Sequence, residues 1–520
     1  MDFFTRYFDT FFPVRVESIA NVWAQRVDRA IYFCVLLTAL MLPVSIAATN
    51  IAWASGLLFW VIRAFVKPRL RWFRTPLDYP ILAFYVWGFV TCVFSYAPDL
   101  SFDRTRVMAL FPIFYLVAQN IRSSKSVKLI IGALIFSSFI SVVWSYGERI
   151  NGRGVQVFEL QANSPLISAR LNNLDDPFRV KDGDTLVKIN GKKFHNPDDL
   201  IKAFDANGSA DSIKLNVYRP DYYVDVNLLR ADLLAGETST QKLGFNRWGH
   251  SRNWRSAGFY DHYVTYAETL QLLLSLLFGV FIVLQRKNSR FGYLLIFVMF
   301  AMGGVLLLTA TRSSQIGLIL SALAIVAFGA NRKMLFVITA LLLPLAIVAA
   351  IYVQQTRNTG FADSSDDSTK WRLTVWREGV NLSTESPRHL IFGVGVDSIK
   401  RFKCDWGLFA NCTLQAGHFH SNMLQIAVET GLPALGLWLW LMFAYARMLF
   451  VNIWKREFDF HEKGILLGAF GGFIGFLTSG LVQNNFGTSI ILMMIYLIMG
   501  LSFTVINCRS TVVGEHKTDS

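Results

Sequence analysis

Long apolar runs, separated by short charged segments, recur along most of this chain, and few folds accept that pattern. Roughly 20 apolar residues in a helix cross the hydrocarbon of a bilayer. Spans are expected over 31–48, 51–66, 79–94, 107–118, 129–146, 264–284, 293–308, 314–328, 334–351, 432–450, 464–481 and 489–506. The fourth is the shortest. Composition agrees: 53% of the 520 residues are hydrophobic, only 17% are charged, and the mean hydropathy is +0.39. A soluble chain of this length is more polar. The expected fold is an all-α polytopic membrane protein of about 12 transmembrane helices, carrying one small α+β insert.

The loops orient these spans. Basic residues gather in alternate loops: Arg63, Lys67, Arg69, Arg71 and Arg74; Arg122, Lys125 and Lys128; Arg286, Lys287 and Arg290; Arg332 and Lys333; Arg447, Lys455, Arg456 and Lys463. Cytoplasmic loops are the basic ones, so both termini are expected in the cytoplasm. The net charge of +14 is then a matter of topology and membrane lipids, and no nucleic-acid partner is implied. Residues 1–28 are too charged for a cleavable signal and read as an amphipathic stretch on the inner surface. The expected organisation is 1–28, that stretch; 29–146, spans one to five; 147–254, an outward insert; 255–353, spans six to nine; 354–430, a large outward loop; 431–507, the last three spans; and 508–520, a cytoplasmic tail.

Of five cysteines, Cys34 and Cys92 fall in spans and Cys508 follows the last. Cys404 and Cys412 share the large outward loop, where a disulfide is permitted if the compartment oxidises. Their spacing and the scarcity of further ligands disfavour zinc. No metal or cofactor is expected.

The insert alternates like a set of strands, at 212–218 and 223–229, with an Asn190-Gly191 hairpin turn and a helix over 197–204 capped by Asn196. Through Asn163-Ser-Pro165, Gly183-Asp184, Ile189-Asn-Gly191 and that helix it resembles a PDZ domain. It departs from the pattern at Ala169-Arg170-Leu171 and lacks a clear carboxylate-binding loop. PDZ domains bind peptide ends by strand addition, so the resemblance implies a peptide partner. A spacer or docking module reads equally well.

The large loop ends in Gly417-His-Phe-His-Ser-Asn422, before a short helix broken by Gly431. His420 can take a proton near neutral pH; taken alone, it also reads as a polar cap at the interface. Arg255, Arg312 and Arg372 stand on the outward side, where the positive-inside pattern predicts few cations. A guanidinium fork suits phosphate oxygens, and a lone arginine also snorkels to head groups. Together these residues resemble the O-antigen ligase and polymerase superfamily. The matching elements are His420-Ser421, nine residues and Gly431; Arg312-Ser-Ser with Ile316 where the family has leucine; Arg255-Ser-Ala-Gly258; and Arg372, Trp376 and the Gly393-Val-Gly395 turn. Ala434 is a mild departure, and the insert is foreign to the common pattern.

The resemblance implies transfer of a glycan from undecaprenyl pyrophosphate to an acceptor hydroxyl, with inversion and without a metal. His420 would take the acceptor proton, while Arg255 and Arg312 hold the pyrophosphate. Arg372 is a weaker candidate for the same work. Among the remaining binding candidates, His418 is a partner of His420 or a loop residue, Ser421 and Asn422 complete the motif, and Glu268 orients an arginine or caps a water-filled groove. The acceptor is expected to be a lipid A-core sugar, ahead of an exported protein and then a growing polymer. A transporter or flippase would show repeats and midplane charges; here the polar groups sit at one face.

Overall fold

The computed structural model of this chain describes residues 9–13, 15, 18–19, 21–68, 70, 72–171, 179–206, 212–219, 222–260, 262–284, 287, 289–329, 367–412, 417–455 and 458–518. The span expected over 334–351 lies outside them, as do residues 1–8, positions 354–366 of the second loop, and Arg69, Arg71, Arg286, Arg332, Lys333 and Arg456. The chain forms two compact units, Met1–Ser141 with Ala257–Ser520, and Val142–Ser256.

The helices of the first unit are, in chain order, α1 (Val22–Met41), α2 (Ile46–Phe65), α3 (Asp78–Val93), α4 (Pro98–Met108), α5 (Pro112–Asn120), α6 (Ser124–Asn151, which continues past Ser141), α7 (Tyr263–Val283), α8 (Arg290–Leu308), α9 (Arg312–Gly329), α10 (Asp367–Thr384), α11 (Pro387–Phe392), α12 (Ser398–Phe402), α13 (Asn422–Lys455), α14 (Phe460–Gly480) and α15 (Ser489–Thr518). Eight helices among the described residues are long and apolar enough to cross a membrane: α2, α6, α7, α8, α9, α13, α14 and α15. The chain is a multi-pass membrane protein.

Three boundaries differ from the sequence reading. The break expected between 48 and 51 falls instead at Leu42–Ser45: Pro43 lies within the turn and Ser45 caps α2 by accepting the Ala48 N–H. Thr49 stays helical because its hydroxyl donates back to the Ser45 carbonyl at 2.7 Å. The stretch 107–118 is divided between α4 and α5. At 1.5 Å per residue, α5 alone rises about 13 Å, short of a hydrocarbon layer of about 30 Å. The N-terminal stretch is also not simply laid on a surface. Arg15 is buried, donates to Asn120 and lies 3.4 Å from Asp28, which pairs with buried Arg63 at 3.0 Å. Residues beyond the membrane-spanning pattern are thereby tied to α1, α2 and α5.

Glycines set how the spans meet. Gly279 of α7 lies against Gly464 and Gly468 of α14, and Gly317 of α9 against Gly475 of α14, while Gly329 meets Leu467 and Ile282. Small residues let helix backbones approach this closely. These contacts put Gln271, Gly317 and Gly475 at one level and Ile282, Gly329 and Leu467 at another. Hence α7 and α9 run parallel and α14 antiparallel. The first residues of α7 and α9, and the loop after α14, therefore share one end of the bundle. The start of α13 joins them there: Asn422 Nδ2 donates to Asn485 Oδ1 at 2.5 Å, and Asn422 Oδ1 accepts the Phe486 N–H at 3.0 Å.

The second unit is an antiparallel sheet of β1 (Arg153–Leu160), β2 (Arg170–Leu171), β3 (Thr185–Ile189), β4 (Lys192–Lys193), β5 (Ser212–Arg219), β6 (Tyr222–Leu229) and β7 (Phe245–Ser251), ordered β2-β6-β5-β3-β1-β7 with β4 beside β3. Asn190 and Gly191, both at positive φ (47° and 80°), make the two-residue turn between β3 and β4. Alternation along β5 buries Ile213, Leu215 and Val217. Helix Pro197–Ala206 adds Leu200 and Phe204 to the same core.

Candidate active site

The histidine loop is fixed by the residue between its two imidazoles. Phe419 is fully buried against Phe409, their rings 5.7 Å apart. Its N–H donates to Gln425 Oε1 (2.8 Å) and its carbonyl accepts the Trp376 indole N–H (2.9 Å). Both backbone groups are satisfied by side chains of α13 and α10, so this non-helical segment can be buried. Gly379 of α10 makes room for the ring, since a Cβ there would meet it at 2.8 Å. His420 then takes a left-handed conformation (φ 49°) before α13 begins. Such strain in a non-glycine residue persists only where its surroundings hold it.

Hydrogen bonding assigns the tautomers. An amide oxygen can only accept. Gln483 Oε1, 3.2 Å from His420 Nδ1, therefore takes the Nδ1–H and leaves Nε2 with its lone pair. His418 Nδ1 accepts the His420 N–H at 3.3 Å, which puts the His418 proton on Nε2. The rings are 4.0 Å apart, and Trp371 meets His420 edge-on at 4.6 Å. Burial, then His418, lowers the His420 pKa to about 3, with Arg372 and His262 adding to the fall and Gln483 opposing it. Burial, then Lys400 and His262, lowers His418 to about 4. Both rings are neutral at pH 7. The arrangement presents one neutral base and, beside it, one N–H donor.

Residues 297–439 match the O-antigen ligase family. The matched residues include Arg312, Arg372, the Gly393–Gly395 turn, His420 and Gly431. Among curated proteins, a stretch of 131 residues is 30% identical to the exopolysaccharide production protein ExoQ of Rhizobium meliloti (strain 1021), taking in 24% of this chain and 29% of that protein. The chain thus spans less than a third of that relative's length.

Of the other expected residues, Arg372 lies close enough to bear on the His420 charge. Arg312 opens α9, half-buried, at the same end of the bundle as the Gln483 loop. Glu268 is 2% exposed in α7, and its Oε1 has no hydrogen-bond partner among the described residues. Arg255 belongs to the second unit. Ser421 is buried; Asn422 clasps the loop after α14 and so secures the start of α13. Gly431 breaks the helix as expected (φ 82°, ψ 168°), and the Thr430 carbonyl accepts the Trp87 indole N–H at 3.1 Å. Cys404 and Cys412 are joined in a disulfide. No three His, Cys, Asp or Glu side chains group as a metal site among the described residues.

Sequence reasoning missed two features. One is Gln483, whose only signal was the polar run Gln483-Asn-Asn485 between apolar spans. The other is a cavity of about 180 Å³ beside His418, lined by Arg104, Asp397, Lys400, Gln425 and Glu429. The Gly393-Val-Gly395 turn builds it: Val394 N–H donates to the Val428 carbonyl and Gly395 N–H to that of Glu429, both at 2.9 Å. This delivers Asp397, at φ 59°, to the Glu429 carboxyl, which accepts its N–H at 2.9 Å.

Proposed function

We propose that the chain is a glycosyltransferase of the O-antigen ligase type in a bacterial inner membrane. It takes a glycan from undecaprenyl pyrophosphate and places it on an acceptor hydroxyl, a lipid A-core sugar, at the periplasmic face. The observation that carries the reading is His420: a neutral imidazole within the matched residues, its Nδ1–H held by Gln483 and its Nε2 left to accept a proton. In the proposed step Nε2 takes the acceptor's hydroxyl proton, the oxygen forms the new bond to the anomeric carbon, and the bond to pyrophosphate breaks. The leaving pyrophosphate carries the electron pair. Direct displacement inverts that carbon. Arg312 and Arg372, both in the first unit, stabilise the departing charge.

A pKa near 3 makes His420 a weak base in the free protein. A bound pyrophosphate changes that, because a nearby anion favours the imidazolium. The donor therefore raises the basicity of the group that uses it.

The similarity to an exopolysaccharide production protein supports a second reading, in which the acceptor is a growing polysaccharide. An exported-protein acceptor is a third, motivated by the PDZ-like insert and its proposed peptide partner. The test is a strain lacking the native copy, complemented with wild type or with His420→Ala, membrane levels being checked for each. Loss of long-chain lipopolysaccharide with build-up of lipid-linked glycan in the variant supports the ligase. Unchanged lipopolysaccharide with lost exopolysaccharide moves the assignment to polymerase. If deletion alters no glycan, the transferase reading is wrong.

A further inference from the structure

The cavity beside His418 is lined by ionic groups that bond to neither imidazole. Its polar wall holds two cations and two carboxyl groups. Lys400 Nζ lies 2.9 Å from Asp397 Oδ2, and Arg104 Nε lies 3.6 Å from the same oxygen. A second guanidinium nitrogen of Arg104 donates to the Gly487 carbonyl at 3.0 Å. Both cations are thus committed within the wall. Glu429 is only 9% exposed and accepts the Asp397 N–H. Phe84, Tyr85 and Phe486 supply an aromatic part of the lining.

This composition selects its ligand. A phosphate would compete with Asp397 for Lys400 and Arg104 and would face the Asp397 carboxylate at close range, where like charges repel. An uncharged polyol meets no such cost. Its hydroxyls donate to carboxyl oxygens and accept from the Asn484 and Gln425 amides, and its C–H face covers the aromatic wall. Size points the same way. Pockets for drug-sized ligands run roughly 300–1,000 Å³, and a cavity of about 180 Å³ has room for one sugar ring. We propose that this cavity is a subsite for a single uncharged sugar ring, held through its hydroxyls by Asp397 and Glu429 beside the His418 donor. The pyrophosphate is left to the arginines elsewhere. The inference rests on the glycosyl-transfer reading and adds the chemical class of one bound partner.

Asp397 fixes both the cations and the backbone strain of this wall. Asn tolerates the left-handed conformation as Asp does, so Asp397→Asn removes charge while keeping shape. Thr488 also lines the cavity, and Thr488→Trp narrows it while leaving every charged group in place.

The test uses full-length protein in sugar-free lipid nanodiscs and ligand-observed NMR. The probes are the methyl glycosides of glucose, galactose, mannose and N-acetylglucosamine, with inorganic pyrophosphate as the charged competitor. At least one glycoside is expected to bind wild type. Asp397→Asn, which keeps an acceptor oxygen and loses its charge, is expected to weaken it by about fivefold, and Glu429→Gln by less. Thr488→Trp should abolish it, and pyrophosphate should not displace it. The subsite is overturned if none of the glycosides binds, if binding survives all three variants unchanged, or if pyrophosphate displaces the sugar. The strain experiment separates the two ideas. Glycan transfer without sugar binding sinks the subsite alone; sugar binding in a protein whose deletion alters no glycan sinks the transferase.

Discussion

At the level of single residues, the Gln483 carboxamide decides what His420 can do. It selects the tautomer with a free Nε2 and adds little charge, so the ring stays neutral across the physiological range. On the proposed transfer, a pKa of about 3 in the free protein puts the His420 limb of kcat/KM well below pH 5, whereas kcat, which reports the donor complex, should show its acid limb at higher pH. A pH series on purified protein with a lipid-linked donor checks this; a kcat/KM limb near pH 6.5 would mean that burial does not govern the ring. Gln483→Glu places a carboxylate at the Nδ1–H and should move both limbs upward. The same shifts act on stability. Both imidazoles have folded pKa values below the ordinary 6.5, so below pH 6.5 the unfolded chain binds more protons than the folded one. Stability is full above that pH and falls as pH drops toward 4. A lower midpoint of thermal unfolding at pH 5 than at pH 7, reduced in His418→Ala, is the expected observation.

At the level of elements, the loop between α12 and the histidines is held in an uncommon shape. Phe409, Ala410, Asn411 and Cys412 all have positive φ. A left-handed turn costs roughly 1–2 kcal/mol per residue, so about 4–8 kcal/mol for the run. Two devices offset it. Glu378 of α10 accepts the N–H groups of Phe409 (2.6 Å) and Ala410 (3.1 Å), each bond contributing about 1.5–3 kcal/mol, and the Cys404–Cys412 disulfide closes the loop, contributing about 2.5 kcal/mol. The turn matters because Phe409 packs on Phe419, which sets both imidazoles. Glu378→Ala combined with Cys404→Ser should expose the loop to trypsin at Lys403 and, in the adjoining α12, at Lys400 and Arg401, and reduce transfer. If the loop opens and transfer is unchanged, Phe419 is positioned by α10 and α13 alone. Gly379→Ala should reduce transfer without opening the loop, since the added methyl meets Phe419 directly. His420, Gly431 and the Gly393–Gly395 turn were legible because each is a local signal: a polar residue ending an apolar run, or a glycine where the chain must bend. Gln483, Glu378 and Asp397 were not, because each acts across 31 to 63 residues of sequence. The break at Leu42–Ser45 was misplaced because Thr49 and Asn50 look like a polar boundary, yet the Thr49 hydroxyl is satisfied inside the helix.

For the whole molecule, hydropathy located the eight helices long and apolar enough to cross a membrane among the described residues, while their arrangement depended on glycines that no apolar count distinguishes. Gly468 meets the backbone of Ser275 and Leu276 at 2.6 to 2.9 Å from where its Cβ would stand. Gly468→Leu should therefore force α7 and α14 apart, and overpacking of this kind typically costs about 1–3 kcal/mol or more. Lower yield and a lower unfolding midpoint would be seen well before any effect specific to the donor. The second unit answers to a different rule. Its strands alternate, and their inward residues close a core with Leu200, Phe204, Leu243 and Phe245, so its apolar surface is buried within its own chain. A domain of this size with its own core can fold alone. Residues 152–252, expressed in water, should give a β-rich circular dichroism spectrum and one cooperative thermal transition, and Leu215→Ala should lower that transition by removing a side chain that is fully buried, at about 2–5 kcal/mol. An aggregated or unfolded fragment would show that the sheet needs the membrane unit for its stability. A cooperative fold would make the insert a separable module, one that can be deleted to learn whether acceptor choice resides there or in the cavity beside His418.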